Sequence, residues 1–177
     1  NKKYILSIGR LTKQKNFNHL IKEFYKINQF YPDYSLVILG VGEEENQLKK
    51  IIQSKHLEDK VFLLGFKKNV YKYLKNCECF ISCSKYEDPG ASIIQAIFCN
   101  KFAISSNCKN GPSEILLKGD GGILFDLYND TLEQTFKKYL ELDIFEKKKK
   151  IINAKKNILK YTIFRHHNSL INLFNKI

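Results

Sequence analysis

Short runs of branched and aromatic residues recur along the chain, each apolar almost without interruption: Tyr4–Ile8, Ser35–Leu39, Val61–Leu64, Cys79–Ser82 and Phe102–Ser105. A strand with one wet face alternates apolar and polar residues. A continuous run is covered on both faces, as in a parallel sheet. Between the runs lie helical patterns. Phe17, Leu20, Ile21, Phe24 and Ile27 follow the 3–4 spacing of one buried face, with Lys and Glu opposite. Leu48, Ile51 and Ile52 repeat this, Val70, Tyr73 and Leu74 form a shorter version, and Ile93, Ile94, Ala96 and Ile97 predict a helix set well inside. Strand and helix in strict turn predict an α/β fold: a Rossmann-like, doubly wound parallel sheet flanked by helices, with right-handed crossovers.

The alternation occupies 3–125, and helices follow over 130–177. Leu132, Phe136, Tyr139 and Leu140 begin one. Ile151, Ile152, Ala154 and Ile158 continue the theme, and a last helix is expected from Thr162 to Phe174. A chain of 177 residues is one domain's worth, with enough length for a core without staples. It contains no Met and begins at Asn1, so it reads as a piece cut from a longer protein. No apolar run approaches the ~20 residues of a membrane-spanning helix.

Charge narrows the partners. Lys and Arg number 30 against 18 Asp and Glu, a formal net charge of +12, yet the only arginines are Arg10 and Arg165. Nucleic-acid readers favour Arg, whose fork contacts bases and phosphates bidentately. Scattered Lys among many Asn, Ile, Tyr and Phe reads as compositional drift first, attraction to an anionic membrane or acidic substrate second, and nucleic acid last. The run Lys147–Lys150 is expected to be a solvated helix face, with membrane contact the sharper alternative. Cys77, Cys79 and Cys83 have no zinc-ribbon spacing and fall at or within an apolar strand, so they read as small buried thiols of a reducing cytoplasm.

In an open parallel sheet, ligands bind beyond the carboxyl ends of the strands. The loop after the first strand holds Gly9, Arg10 and Lys15. Together Arg10 and Lys15 could clamp a diphosphate, or Arg10 could be a surface residue near a helix start. The loop after the fourth strand holds Glu87, then Pro89, Gly90, Ala91 and Ser92 at the opening of an apolar helix, whose free N–H groups suit an anion. Glu87 could instead cap that helix. No P-loop is present. Gly40-Val41-Gly42 lacks the third glycine of a dinucleotide fingerprint, and turn geometry explains it as well.

Taken together, these segments resemble a known family. Gly9-Arg10-Leu11 with Gln14-Lys15-Asn16, Gly40-Val41-Gly42, Leu64-Gly65-Phe66, Ser84-x-Tyr86-Glu87 with Gln95-Ala96, Asn110-Gly111-Pro112-Ser113-Glu114-Ile115-Leu116 and Gly121-Gly122-Ile123-Leu124-Phe125 look like glycosyltransferase family 4. These are retaining, nucleotide-sugar-dependent enzymes of GT-B fold. What matches is the C-terminal, donor-binding half, so the resemblance implies one donor-binding domain over 1–177 and a separate N-terminal acceptor domain outside this chain. The isolated domain is then expected to be inactive alone.

The resemblance also implies roles. Arg10 and Lys15 match the pair that neutralises the donor diphosphate and leaving group, and Glu87 matches the first Glu of an E-x7-E pattern near the sugar. Gly90, Ala91 and Ser92, after Pro89, match the loop that cradles sugar and phosphate. Gly65 and Phe66 match the stretch lining the base, and Gly9 and Gly42 belong to the same donor site. The family's second Glu is Gln95 here, which should weaken a ribose contact by on the order of 1 kcal/mol. Asp88 adds a negative charge where the family has glycine.

The expected donor is a UDP-sugar carrying a hexose or N-acetylhexosamine, with no metal or other cofactor. The expected acceptor is a glycan or lipid-linked saccharide of surface polysaccharide synthesis. Nucleic acid is not expected as a partner. The expected location is the cytoplasm, peripheral to the inner face of the membrane. A degenerate nucleotide-binding module without transferase activity is the alternative.

Overall fold

The computed structural model describes residues 3–162 and, beyond them, Ile171. The elements run β1 (Lys3–Ile8), α1 (Phe17–Phe30), β2 (Tyr34–Leu39), α2 (Glu45–Ser54), β3 (Val61–Leu63), α3 (Tyr71–Asn76), β4 (Cys79–Ser82), α4 (Ala91–Phe98), β5 (Phe102–Ser106), α5 (Pro112–Ile115), β6 (Ile123–Phe125), α6 (Leu132–Glu141) and α7 (Ile144–Ile158). The helix expected from Thr162 to Phe174 lies, apart from its first residue and Ile171, outside the described residues.

The strands form a six-stranded sheet in the order β3-β2-β1-β4-β5-β6, and every pair is parallel. This is the Rossmann-like, doubly wound arrangement the apolar runs predict, with strand bounds within one residue of those read from the sequence. Successive strand residues point to opposite faces. Ile5, Leu36 and Ile38 pack with Phe17, Leu20, Phe24, Leu48 and Phe136, which puts α1, α2 and α6 on one side. Leu6, Val37 and Leu39 pack with Leu74, Ile93, Ile97, Ala154 and Ile158, which puts α3, α4 and α7 on the other. Each fully buried side chain of this kind stabilises the fold by about 1.5–3 kcal/mol.

Three expectations need correction. A sixth strand, Ile123–Phe125, extends the sheet beside β5; the sequence reading took these residues only as part of a motif. Glu23 does not face water with the lysines of α1. It is buried, and its carboxylate accepts from the Leu132 N–H, which starts α6. Ile152 is not a core residue: it is 52% exposed.

The cysteines behave as small hydrophobes. Cys77, Cys79 and Cys83 are buried and free. Burial pushes the Cys77 thiol up to about 12 and the thiols of Cys79 and Cys83 well above their usual range.

Candidate functional site

The sheet reverses its winding at β1. From β1 the chain moves outward through β2 to β3, then returns to β4 on the other side of β1. That reversal opens a crevice between the ends of β1 and β4, where open α/β sheets bind ligands. The two loops singled out by sequence meet there. The Lys85 N–H donates to the Gln14 carbonyl at 2.8 Å, and the Gln14 side-chain amide donates to the Tyr86 carbonyl at 3.0 Å.

Lys15 and Glu87 are joined across this crevice. Lys15 Nζ lies 2.7 and 2.8 Å from the two carboxylate oxygens. The side chains are 17% and 4% exposed, so the pair is largely out of water but the ammonium reaches the surface. Ser84 Oγ donates a further bond to Glu87 Oε1. Ser84 is held in turn: its hydroxyl meets Ser82 Oγ at 3.2 Å, and its carbonyl accepts from Ser106 Oγ at 2.6 Å. The carboxylate is therefore fixed by an ammonium and a hydroxyl on rigid strand ends. It does not cap α4, which begins at Gly90 without a side-chain cap. An ammonium has three donors, and two of those of Lys15 go to Glu87.

Gly9 makes this reach possible. A β-carbon there would sit 3.1–3.2 Å from Cγ, Cδ and Cε of Lys15, so the lysine stem crosses the bare backbone. Gly42 is needed for another close approach, since a β-carbon would lie 2.4 Å from the Leu11 carbonyl oxygen. Beside these loops is a cavity of about 210 Å³. Leu39, Val41 and Val70 make it apolar, and Arg10, Lys67 and Phe66 line it as well. Phe66 is 73% exposed, and Gly65, in the left-handed region at φ 71°, turns the chain just before it. Arg10 is exposed, and its guanidinium has no hydrogen bond or ion pair among the described residues. The structure thus separates the two cations. Lys15 is committed to Glu87, and Arg10 stands uncompensated over the apolar cavity.

On the other flank, Gly90 is the N-cap of α4 with φ 99°. The N–H groups of Gly90, Ala91 and Ser92 donate to no backbone carbonyl among the described residues. Pro89 and Asp88 are exposed on the same loop. Gln95, half-buried on α4, has no side-chain hydrogen bond among the described residues. Residues to which the sequence reading gave no role also build the site. Ser84 and Ser106 orient Glu87. Gly111 packs so closely that a β-carbon would lie 1.9 Å from the Pro89 carbonyl oxygen. The Lys109 carbonyl accepts from the Glu87 N–H at 3.1 Å. Cys108 lies near both Glu87 and Lys15, its thiol raised chiefly by burial.

Comparisons with known proteins agree with this fold. The chain is 36% identical over 146 residues to N-acetylgalactosamine-N,N'-diacetylbacillosaminyl-diphospho-undecaprenol 4-alpha-N-acetylgalactosaminyltransferase of Campylobacter jejuni, a match covering 82% of this chain and 39% of that protein. A crystal structure of a mutant S. aureus TarM with fondaparinux, alpha-GlcNAc-glycerol and UDP superposes with a TM-score of 0.84 at 26% identity, covering 98% of this chain and 36% of that one. The C-terminal domain of a glycosyl transferase group 1 family protein from Francisella tularensis shares the fold, with a TM-score of 0.78 at 18% identity, covering 92% of this chain and 88% of that domain. The chain therefore spans well under half the length of the first two. The family described as glycosyl transferases group 1 matches residues 1–158. With that match across most of its length, the chain belongs to the glycosyl transferases group 1 family.

Proposed function

We propose that this domain binds the nucleotide-sugar donor of a retaining glycosyltransferase of family 4, in the GT-B arrangement. The observation that carries the reading is the crevice at the β1/β4 reversal. There an uncompensated Arg10 faces an apolar cavity on one side, and the buried Lys15–Glu87 pair stands on the other. In this reading the base lies in the cavity against Phe66, the diphosphate meets Arg10 and the amides of Gly90, Ala91 and Ser92, and the sugar approaches Glu87.

Transfer breaks the bond between the anomeric carbon and the diphosphate oxygen and forms one from the acceptor oxygen to that carbon, while the proton of the acceptor hydroxyl passes to the departing diphosphate. Negative charge then grows on the departing phosphate. Arg10, and the remaining donor of Lys15, face that charge and stabilise the transition state more than the ground state. Glu87 holds Lys15 in place and presents a carboxylate to the sugar. In this reading the cations fill this role and no metal is needed. The donor is a UDP-hexose or UDP-N-acetylhexosamine, as the UDP bound to similar structures suggests. The acceptor is a glycan or lipid-linked saccharide, held by an N-terminal lobe in a longer protein. In this reading the enzyme works in the cytoplasm, at the inner membrane face.

Titration of the chain with UDP, GDP and ADP tests this. Saturable binding that prefers UDP is expected, and Gln95→Glu should tighten it several-fold, because a ribose hydroxyl would then donate to a charged acceptor. Binding of none of the three overturns the reading. Gln95 and Asp88 favour a second one, a degenerate module. It is the outcome if UDP binds but joining the upstream lobe yields no sugar transfer.

A further inference from the structure

The run Lys147–Lys150 was expected to be one solvated face, but α7 divides it. Lys147 turns inward, its Nζ 4.5 Å from the centre of the Tyr139 ring, and Lys150 donates to the Gly119 carbonyl at 2.7 Å. Lys148 and Lys149 point outward. At 100° per residue, Phe145, Lys148, Lys149, Ile152, Lys156 and Leu159 fall within about 100° of arc on the face opposite Ala154 and Ile158. Phe145 is 77% exposed, Ile152 52% and Leu159 42%. Large apolar side chains thus recur every seven residues on the outside of the molecule, with lysines between them.

The charge on this face has one sign. Lys148, Lys149 and Lys156 have no ion pair or hydrogen bond among the described residues. The acids near the start of the helix, Asp143 and Glu146, are tied up in its capping box, and no Asp or Glu follows Glu146 on α7. At the border of the stripe Lys155 donates to Asn100 Oδ1 at 2.7 Å, and just beyond the helix Lys160 pairs with Glu114 at 2.6 Å. Beside the stripe, Lys75, Lys101 and Lys155 gather around Cys99, next to Phe98, which is 58% exposed.

A second copy of this chain would bring like charges together. A neutral apolar partner would leave the lysines unpaired. A surface that is negative at the headgroups and apolar just beneath them accepts both components. We infer that the outer face of α7 docks this lobe onto an anionic lipid bilayer, with Phe145, Ile152 and Leu159 entering the interface and Lys148, Lys149 and Lys156 meeting lipid phosphates. The inference deepens the proposed function, because a lipid-linked acceptor gives the docking its use. Its evidence, though, is independent of the donor site.

Vesicle co-sedimentation of the 177-residue chain without nucleotide tests it. The chain should pellet with phosphatidylglycerol-containing vesicles and not with phosphatidylcholine alone, and high salt should release it. The triple variant Lys148→Gln, Lys149→Gln, Lys156→Gln should lower the partition coefficient on the order of 100-fold. Phe145→Ser with Ile152→Ser should lower it several-fold, with circular dichroism and UDP binding unchanged. Equal pelleting with both lipids, none with either, or pelleting that survives the triple substitution overturns the inference. Self-association that the Phe145→Ser, Ile152→Ser variant abolishes, without any lipid effect, assigns the face to a second copy instead. Since no nucleotide is present, failure here leaves the donor-site reading intact, and the reverse also holds.

Discussion

At the scale of single residues, the centre of the site is the Lys15–Glu87 pair. Removing one partner leaves the other largely buried and unpaired, which costs about 3 kcal/mol. Lys15→Met and Glu87→Gln should each destabilise the chain by about that amount in urea unfolding. The double variant should cost clearly less than the two together, because it strands no charge. Additive losses would show that the two groups are not coupled. Both residues were legible in the sequence as strand-end candidates, and so was Arg10. Their partnership was not: the pair is 72 residues apart, and nothing local shows that Gly9 lets the lysine stem cross to β4. The sequence reading grouped Arg10 with Lys15 because they are neighbours in the chain. The fold gives Lys15 to Glu87 and leaves Arg10 without an ion pair or side-chain hydrogen bond among the described residues.

At the scale of elements, the alternation of runs and helices was legible because parallel strands are buried on both faces, and buried faces leave a strong apolar trace. The trace fades where elements are short. α5 has four residues, too few for a helical period to repeat. The loops that shape the site are specified by contacts instead. Gly111, at φ 118° in the left-handed region, lets the loop after β5 lie against the loop carrying Pro89. Gly111→Ala meets both a strained backbone and a blocked approach, so the two loops must part. It should weaken UDP binding about tenfold or more while the far-ultraviolet circular dichroism stays native. Unchanged affinity would mean that this packing does not position the amides of Gly90, Ala91 and Ser92.

At the scale of the whole molecule, six parallel strands and two helical layers bring the loops after β1, β2, β3 and β4 to one edge of the sheet. The proposed donor site and the proposed membrane-facing helix then occupy different regions of one lobe, which would let the lobe hold its donor while the membrane supplies the acceptor. The fold and the family were readable from sequence because they rest on repeated patterns. The stripe on α7 was not, because Lys147–Lys150 reads as one block until the helix sorts it into inward and outward residues.

The central claim is that the β1/β4 crevice reads a diphosphate through Arg10, beside a cavity that takes the base. Calorimetric titration of UDP and of uridine into the chain and its Arg10→Ala variant tests this most directly. Arg10→Ala should weaken UDP on the order of 10- to 100-fold, the loss of a charge-assisted contact, and leave uridine unchanged. Equal affinity of the two proteins for UDP, or an equal loss for UDP and uridine, would contradict it.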